Sequence, residues 1–259
     1  LKHPLTYYQA PTAQATFAGH GLDTFEAWWL RHIDWFEAPN QRRGGWSGVG
    51  KLVLPNADGS HLVLFVKKQQ NHGRRTWRHP LSGEPTFRRE FHRLQSLASA
   101  GVPAPKVMMY AESLQDGEQR AILVTENLQD FVDLEQLLPQ VIQQPLKPRR
   151  ALLRDVAQQI RRFHDLGWVH RALYPKHIFV STQSHPAQVA LIDLEKTRKT
   201  GCRWRRAQFD LAALHRHTEG LSARDRLYFF KQYLHADDAH ALRWCERALL
   251  KSIAKRSKR

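Results

Sequence analysis

The sequence predicts an α+β chain in two parts: a small antiparallel sheet with one main helix, then a larger helical part. Three observations predict it. Strand-like apolar runs crowd the first half: VGKLVL from Val49 to Leu54, HLVLFVKK, KVMMYAE and AILVTE. A single one-faced helix, TFRREFHRLQSLAS, falls among them. Beyond Glu126 the apolar spacing turns helical, broken only by the short runs HIFV and VALI. Strands with one helix followed by mostly helices is the α+β order. The boundary is placed between 126 and 127, with an N-terminal segment and sheet lobe before it and a helical lobe with a basic tail after it.

Each element has its own warrant. Residues 1–20 carry no periodicity and read as irregular. Asp23 or Thr24 caps a helix over TFEAWWLRHIDWF, apolar nearly all round and so packed onto a lobe, ending at Pro39-Asn40. Gly44, Gly45, Gly48 and Gly50 precede or open the Val49–Leu54 strand, and Asp58-Gly59 in PNADGS signals the hairpin back into HLVLFVKK. Pro85 opens the helix whose face is Phe87, Phe91, Leu94 and Leu97, and Gly101 stops it. LQDGEQ turns between the next two strands. Leu152, Val156, Ile160 and Phe163 mark a helix that stops at Gly167, and everything from about Arg203 is helical and very basic.

Composition narrows the classes. With 259 residues and 42% apolar content, the chain can bury a substantial core. Forty Lys and Arg against 24 Asp and Glu give +16, which implies an anionic partner: nucleic acid, an acidic membrane surface or a phosphorylated sugar. Cys202 and Cys245 lie in no metal or C-x-x-C spacing, so a reducing compartment is expected. No run approaches the roughly 18 apolar residues of a membrane span, and the first residues lack the apolar core of a secretion signal.

The chemistry is concentrated in WVHRALYPKHIFVSTQSHPAQVALIDLEKTR, which begins at Trp168. His170, Arg171 and Leu173 fit the H-R-D-L-x-x-x-N loop of protein kinases, with His177 at the Asn position and Ala172 where the catalytic Asp belongs. Asp193 closes an apolar strand, as the metal-binding Asp does after that loop, with Leu194 and Glu195 in place of Phe and Gly. Upstream, Lys67 or its neighbour Lys68 ends a strand where a kinase carries its phosphate-binding Lys; Lys67 is preferred, with Glu90 some 23 residues on as its ion-pair partner. Gly44, Gly45 and Gly48 suit close backbone approach to phosphate, although the spacing is not G-x-G-x-x-G. Glu126, at the end of the AILVTE strand, joins Lys67 and these glycines as a nucleotide-binding candidate.

Asp193 offers the hard oxygen Mg²⁺ wants, whereas an imidazole at His177 suits Mn²⁺ better. His164, His170 and His177 match no common zinc spacing. Ala172 can neither accept a proton nor orient a hydroxyl, so Lys176 is a candidate for γ-phosphate charge and His177 for the base. The run KTRKTGCRWRR, with six basic residues, follows Asp193 where acceptors dock, and the tail KSIAKRSKR reads as a disordered polybasic arm drawn to anionic lipid.

The strings PNQRRGGWSGV, VKKQ, PTFRRE, VTENLQ, LYPKHIFV and LIDLEKTR resemble the lipopolysaccharide kinase (Kdo/WaaP) family, most closely its InaA-like branch, over about residues 39–198. The resemblance implies a protein-kinase-like fold and ATP with Mg²⁺ or Mn²⁺. It also implies phosphorylation of heptose or Kdo in the lipopolysaccharide core, at the cytoplasmic side of the inner membrane. It gives Lys67, Glu90 and Asp193 the nucleotide and metal roles, and makes Asp210 the helix residue that anchors the catalytic loop. Family sugar kinases carry Asp where Ala172 stands. The expected function is therefore an ATP-dependent kinase-like protein acting on such a sugar or a related anionic acceptor. The alternative is a pseudokinase that binds nucleotide without turnover. A basic nucleic-acid-binding protein is a third reading, for which no reading motif stands in the sequence.

Overall fold

A computed structural model describes residues 6–36, 38–42, 44–56, 58–74, 83–237 and 239–258. Arg43 in the glycine string and Arg259 at the end of the tail lie outside the described residues. The chain divides into two compact units, Leu1–Ser99 with Pro105–Asn127, and Ala100–Ala104 with Leu128–Arg259.

The first unit is a seven-stranded antiparallel sheet with one long helix. Its elements are β1 (Thr6–Gln9), α1 (Gln14–Gly19), α2 (Phe25–Leu30), β2 (Asp34–Trp35), β3 (Asn40–Arg42), β4 (Gly45–Pro55), β5 (His61–Gln70), β6 (Gly73–Arg74), β7 (Glu84–Pro85), α3 (Thr86–Ser99), β8 (Val107–Gln115) and β9 (Glu118–Glu126). The sheet runs β1-β8-β9-β5-β4-β2, with β3 also on β4, while β6 pairs with β7 apart from it. Period-two alternation sends Leu52, Leu54, Leu64, Val66, Ile122 and Val124 to one face, where Phe17, Leu22, Phe25, Trp28 and Ile33 cover them in a single apolar cluster. Phe87, Phe91, Leu94 and Leu97 of α3 are buried, as their spacing predicts.

Three expectations for this unit give way. Residues 6–20 are not irregular, since β1 pairs with β8 and Phe17 of α1 is fully buried, while residues 1–5 lie outside the described residues. The helix at 24–36 stops at Leu30; Thr24 does cap it, accepting from the Ala27 amide at 3.1 Å. Beyond it Ile33 is drawn into the cluster and Asp34–Trp35 pairs with Lys51 and Gly50. A Cβ on Gly50 would stand 2.4 Å from the Asp34 carbonyl oxygen, so this glycine lets β2 cross at that point. The glycine string is also mostly strand, Gly45 onward belonging to β4 and pairing with β3.

The second unit holds β10 (Val132–Asp133), α4 (Leu134–Gln143), α5 (Leu146–Asp165), β11 (Trp168–Val169), β12 (Ile178–Ser181), β13 (Gln188–Leu191), β14 (Arg198–Lys199), α6 (Arg203–Arg216), α7 (Ala223–Tyr233) and α8 (Trp244–Ser257). Leu152, Val156, Ile160 and Phe163 all face its core. The tail is not a disordered arm through its described length. Leu249, Ile253 and Ser257 bury one side of α8, and the Arg256 guanidinium lies 3.8 Å over the Phe209 ring of α6. Basic residues in the last turn also complement the helix dipole.

Candidate functional site

In the first unit, β5 sends its two lysines to opposite faces. Alternation puts Lys67 toward α3, where its Nζ donates to both Glu90 oxygens at 2.7 and 2.9 Å. Lys67 is 24% exposed and Glu90 only 7%, so the pair is partly shielded and the carboxylate holds the amine in place. Lys68 points to the opposite face. Its Nζ donates to the Trp29 and Arg31 carbonyls at 2.9 and 2.7 Å, closing the C-terminus of α2, and burial lowers its pKa to about 8.

The predicted phosphate glycines differ among themselves. Gly44, at the tip of the β3–β4 hairpin, has φ +78° and open space around it. A Cβ on Gly45 would meet the Gln70 carbonyl oxygen at 2.1 Å, and one on Gly48 would press on the Trp35 ring at 3.0 Å. The Gln70–Asn71 backbone therefore requires glycine at 45, whereas at 48 a side chain would press on the Trp35 and Pro39 side chains. Trp46, between them in β4, lies against both Trp29 and Trp35. Glu126 ends β9 opposite Leu64, its amide donating to the Lys106 carbonyl at 2.9 Å.

In the second unit the catalytic-loop segment is tied down through its main chain. Asp210 of α6, fully buried, accepts the His170 amide at Oδ2 (2.6 Å) and the Arg171 amide at Oδ1 (2.7 Å). Arg171 has φ +69°, a left-handed turn within this two-pronged contact. His164 donates its Nε2–H to Asp210 Oδ2 at 3.0 Å, and its Nδ1 accepts from the Tyr233 hydroxyl at 2.8 Å. His170, also buried, donates Nε2–H to the Ile192 carbonyl at 2.9 Å, and burial pushes its pKa down, keeping the ring neutral.

His177 and Asp193 come together. The Ala172 carbonyl lies 2.8 Å from His177 Nδ1, and since a carbonyl can only accept, that nitrogen carries the proton. The other ring nitrogen, Nε2, faces Asp193 Oδ2 at 3.6 Å. Backbone bonding holds the two segments in step, the Ile192 amide donating to the His177 carbonyl at 3.1 Å. Asp193 sits at φ +56° with its side chain 40% exposed; Asp is among the few residues that tolerate this conformation. An oxygen and an imidazole nitrogen side by side fit a divalent ion that takes its remaining ligands from phosphate and water, and they fit Mn²⁺ better than Mg²⁺. Among the described residues no group of three or more His, Cys, Asp or Glu is disposed to hold a metal.

Ala172 is buried and its methyl offers no function; its carbonyl accepts from His177 and from the Tyr174 amide at 2.9 Å. Lys176 is exposed. Of the basic run after Asp193, Lys196, Arg198, Lys199, Arg203 and Arg205 are exposed, while Arg206 is buried and bonds the Thr200 carbonyl. Elsewhere in this unit a half-open apolar cavity of about 230 Å³ is lined by Leu138, Leu211, Phe230, Leu250 and Ile253 among others. Sequence reasoning missed the His164–Tyr233 support of Asp210. The available signal was a histidine six residues ahead of His170, in the last turn of a helix.

The chain is similar to several known proteins. The profile of the lipopolysaccharide kinase (Kdo/WaaP) family matches residues 26–233. Protein InaA of Escherichia coli is 33% identical over 205 residues, covering 78% of this chain and 92% of its own. The lipopolysaccharide core heptose(I) kinase WaaP of Pseudomonas aeruginosa is 32% identical over 179 residues, 62% of this chain and 66% of its own. Among solved structures, WaaP in complex with acyl carrier protein superposes with a TM-score of 0.69 at 25% identity, over 98% of both chains.

Proposed function

Because this chain belongs to the lipopolysaccharide kinase (Kdo/WaaP) family, we propose that it is an ATP-dependent kinase-like protein whose acceptor is a lipopolysaccharide-core sugar, heptose or Kdo, or a related anionic molecule. The observation that carries the reading is the Lys67–Glu90 pair at 2.7 and 2.9 Å, an amine held in place by a buried carboxylate. In this reading Lys67 neutralises the α/β-phosphates, Gly44 and Glu126 border the nucleotide, and Asp193 with His177 holds a divalent metal that spreads phosphate charge.

The β–γ P–O bond breaks, a P–O bond to the acceptor hydroxyl forms, and ADP leaves. Such transfer is largely dissociative, so positioning and charge stabilisation sustain a rate without a base at 172. Lys176 stabilises γ-phosphate charge. The His177 Nε2 lone pair either holds the metal or takes the acceptor's proton. The exposed cations from Lys196 to Arg205 receive an anionic acceptor. The protein works at the cytoplasmic face of the inner membrane, where core sugars are presented. The neighbour solved with acyl carrier protein, together with the apolar cavity, supports an acyl chain or its carrier as a further partner.

A second reading, a pseudokinase that binds nucleotide without turnover, is favoured by Ala172 alone. Purified protein with ATP–Mn²⁺ and a panel of core sugars separates the two: ADP release that depends on the sugar supports transfer. Nucleotide binding with no turnover on any acceptor selects the pseudokinase. Absence of nucleotide binding overturns both.

A further inference from the structure

Helix α8 carries an exposed cationic stripe with a tryptophan at its head. At 3.6 residues per turn, Trp244, Arg247, Lys251, Lys255 and Lys258 fall within an arc of about 80°. All five are exposed, Trp244 at 77%, one of the most exposed large apolar side chains described. The helix's one acid, Glu246, lies on the far side, buried and engaged by Arg243 and His240. Leu249 and Ile253 pack inward. The outward face is thus uniformly positive over roughly 20 Å, since each residue adds about 1.5 Å.

We propose that this face of α8 docks on an anionic lipid bilayer, with the helix lying along the headgroups, the Trp244 indole seated among them and the four cations paired with lipid phosphates. The charges alone fit any polyanion; Trp244 selects among them. An indole that is largely exposed in water is favoured at the headgroup level, where its apolar body and N–H are both satisfied, and long Lys and Arg stems reach outward while their methylenes cover apolar surface. A nucleic acid read by such a stripe gains nothing from an indole unless bases are unstacked against it. The inference names the surface for the membrane-side location proposed above and does not depend on catalysis.

The test is co-sedimentation of the whole chain with phosphatidylglycerol/phosphatidylcholine vesicles, pure phosphatidylcholine vesicles and a short DNA duplex at fixed salt. The parent is expected to bind only the anionic vesicles strongly. Near an anionic surface each Lys or Arg contributes about fivefold, so the triple variant Arg247→Gln, Lys251→Gln, Lys255→Gln loses on the order of a hundredfold in partitioning. Trp244→Ala weakens binding severalfold and removes the quenching that brominated lipid chains impose on the parent's fluorescence. Thermal unfolding confirms that the variants are folded. ATP-induced stabilisation is unchanged in them, so loss of vesicle binding is read apart from the nucleotide site. Equal partitioning of parent and triple variant overturns the proposal. So does a Trp244→Ala variant that binds vesicles like the parent while the triple variant loses DNA, which assigns the stripe to nucleic acid.

Discussion

Replacing Asp210 with Asn probes the loop anchor with almost no change of shape. The carboxylate accepts three donors: the His170 amide at 2.6 Å, the Arg171 amide at 2.7 Å and His164 Nε2–H at 3.0 Å. An Asn amide has one oxygen and one NH₂, so whichever way it is turned a donor faces a donor. One charge-assisted bond is lost in a fully buried place and the others fall to neutral strength, a cost of about 2–4 kcal/mol. For a unit of this size that lowers the melting temperature by about 5–15 °C. Thermal denaturation followed by circular dichroism reads the shift, and amide exchange at His170 and Arg171 shows where it arises. An Asp210→Asn variant melting within about 1 °C of the parent, with those two amides still protected, refutes the anchoring argument.

Lys67→Ala and Asp193→Ala are each expected to abolish stabilisation by ATP–Mn²⁺ in a thermal-shift assay; unchanged shifts in both place the nucleotide elsewhere. Ala172→Asp is expected to raise phosphotransfer by about a hundredfold or more, the lower range for a positioned base, in an ADP-release assay with a core sugar; a rate equal to the parent's shows that a base is not what limits transfer. The folded pKa of Lys68, about 8, lies below its unfolded value near 10.4, so between them the unfolded chain holds a proton the folded chain has released. Stability therefore gains up to about 3 kcal/mol as pH rises through that window, and in urea titrations at pH 8 and pH 10 Lys68→Met removes the gain. Gly50→Ala, which forces a Cβ to 2.4 Å from the Asp34 carbonyl oxygen, costs about 1–3 kcal/mol by the same titration.

What was legible in the sequence is what local periodicity and short spacings encode. The α3 helix stands at Thr86–Ser99 because its apolar face repeats at helical intervals, and β5, β8 and β9 stand where their apolar runs lie. The Lys67–Glu90 contact and the approach of His177 to Asp193 were readable because each pair joins recognisable elements at a characteristic separation. The N-terminal segment was not readable. Its helical-looking residues 31–36 are claimed by a pairing with β4 and by burial of Ile33, long-range contacts that no window of sequence records. Gly45, Gly48 and Gly50 look the same as ligand-facing glycines until the atoms that approach them are known. A dipeptide of two lysines gave no sign that the second closes a helix, and the basic tail hid Leu249 and Ile253, the two residues that seat it as a helix.

The loop around residue 172 is fastened by main-chain atoms, the amides of His170 and Arg171 and the carbonyl of Ala172. None of these ties depends on the side chain at 172, so architecture and chemistry are separable at this position. A methyl at 172 therefore leaves the loop well formed, fastened by the same amides and carbonyl.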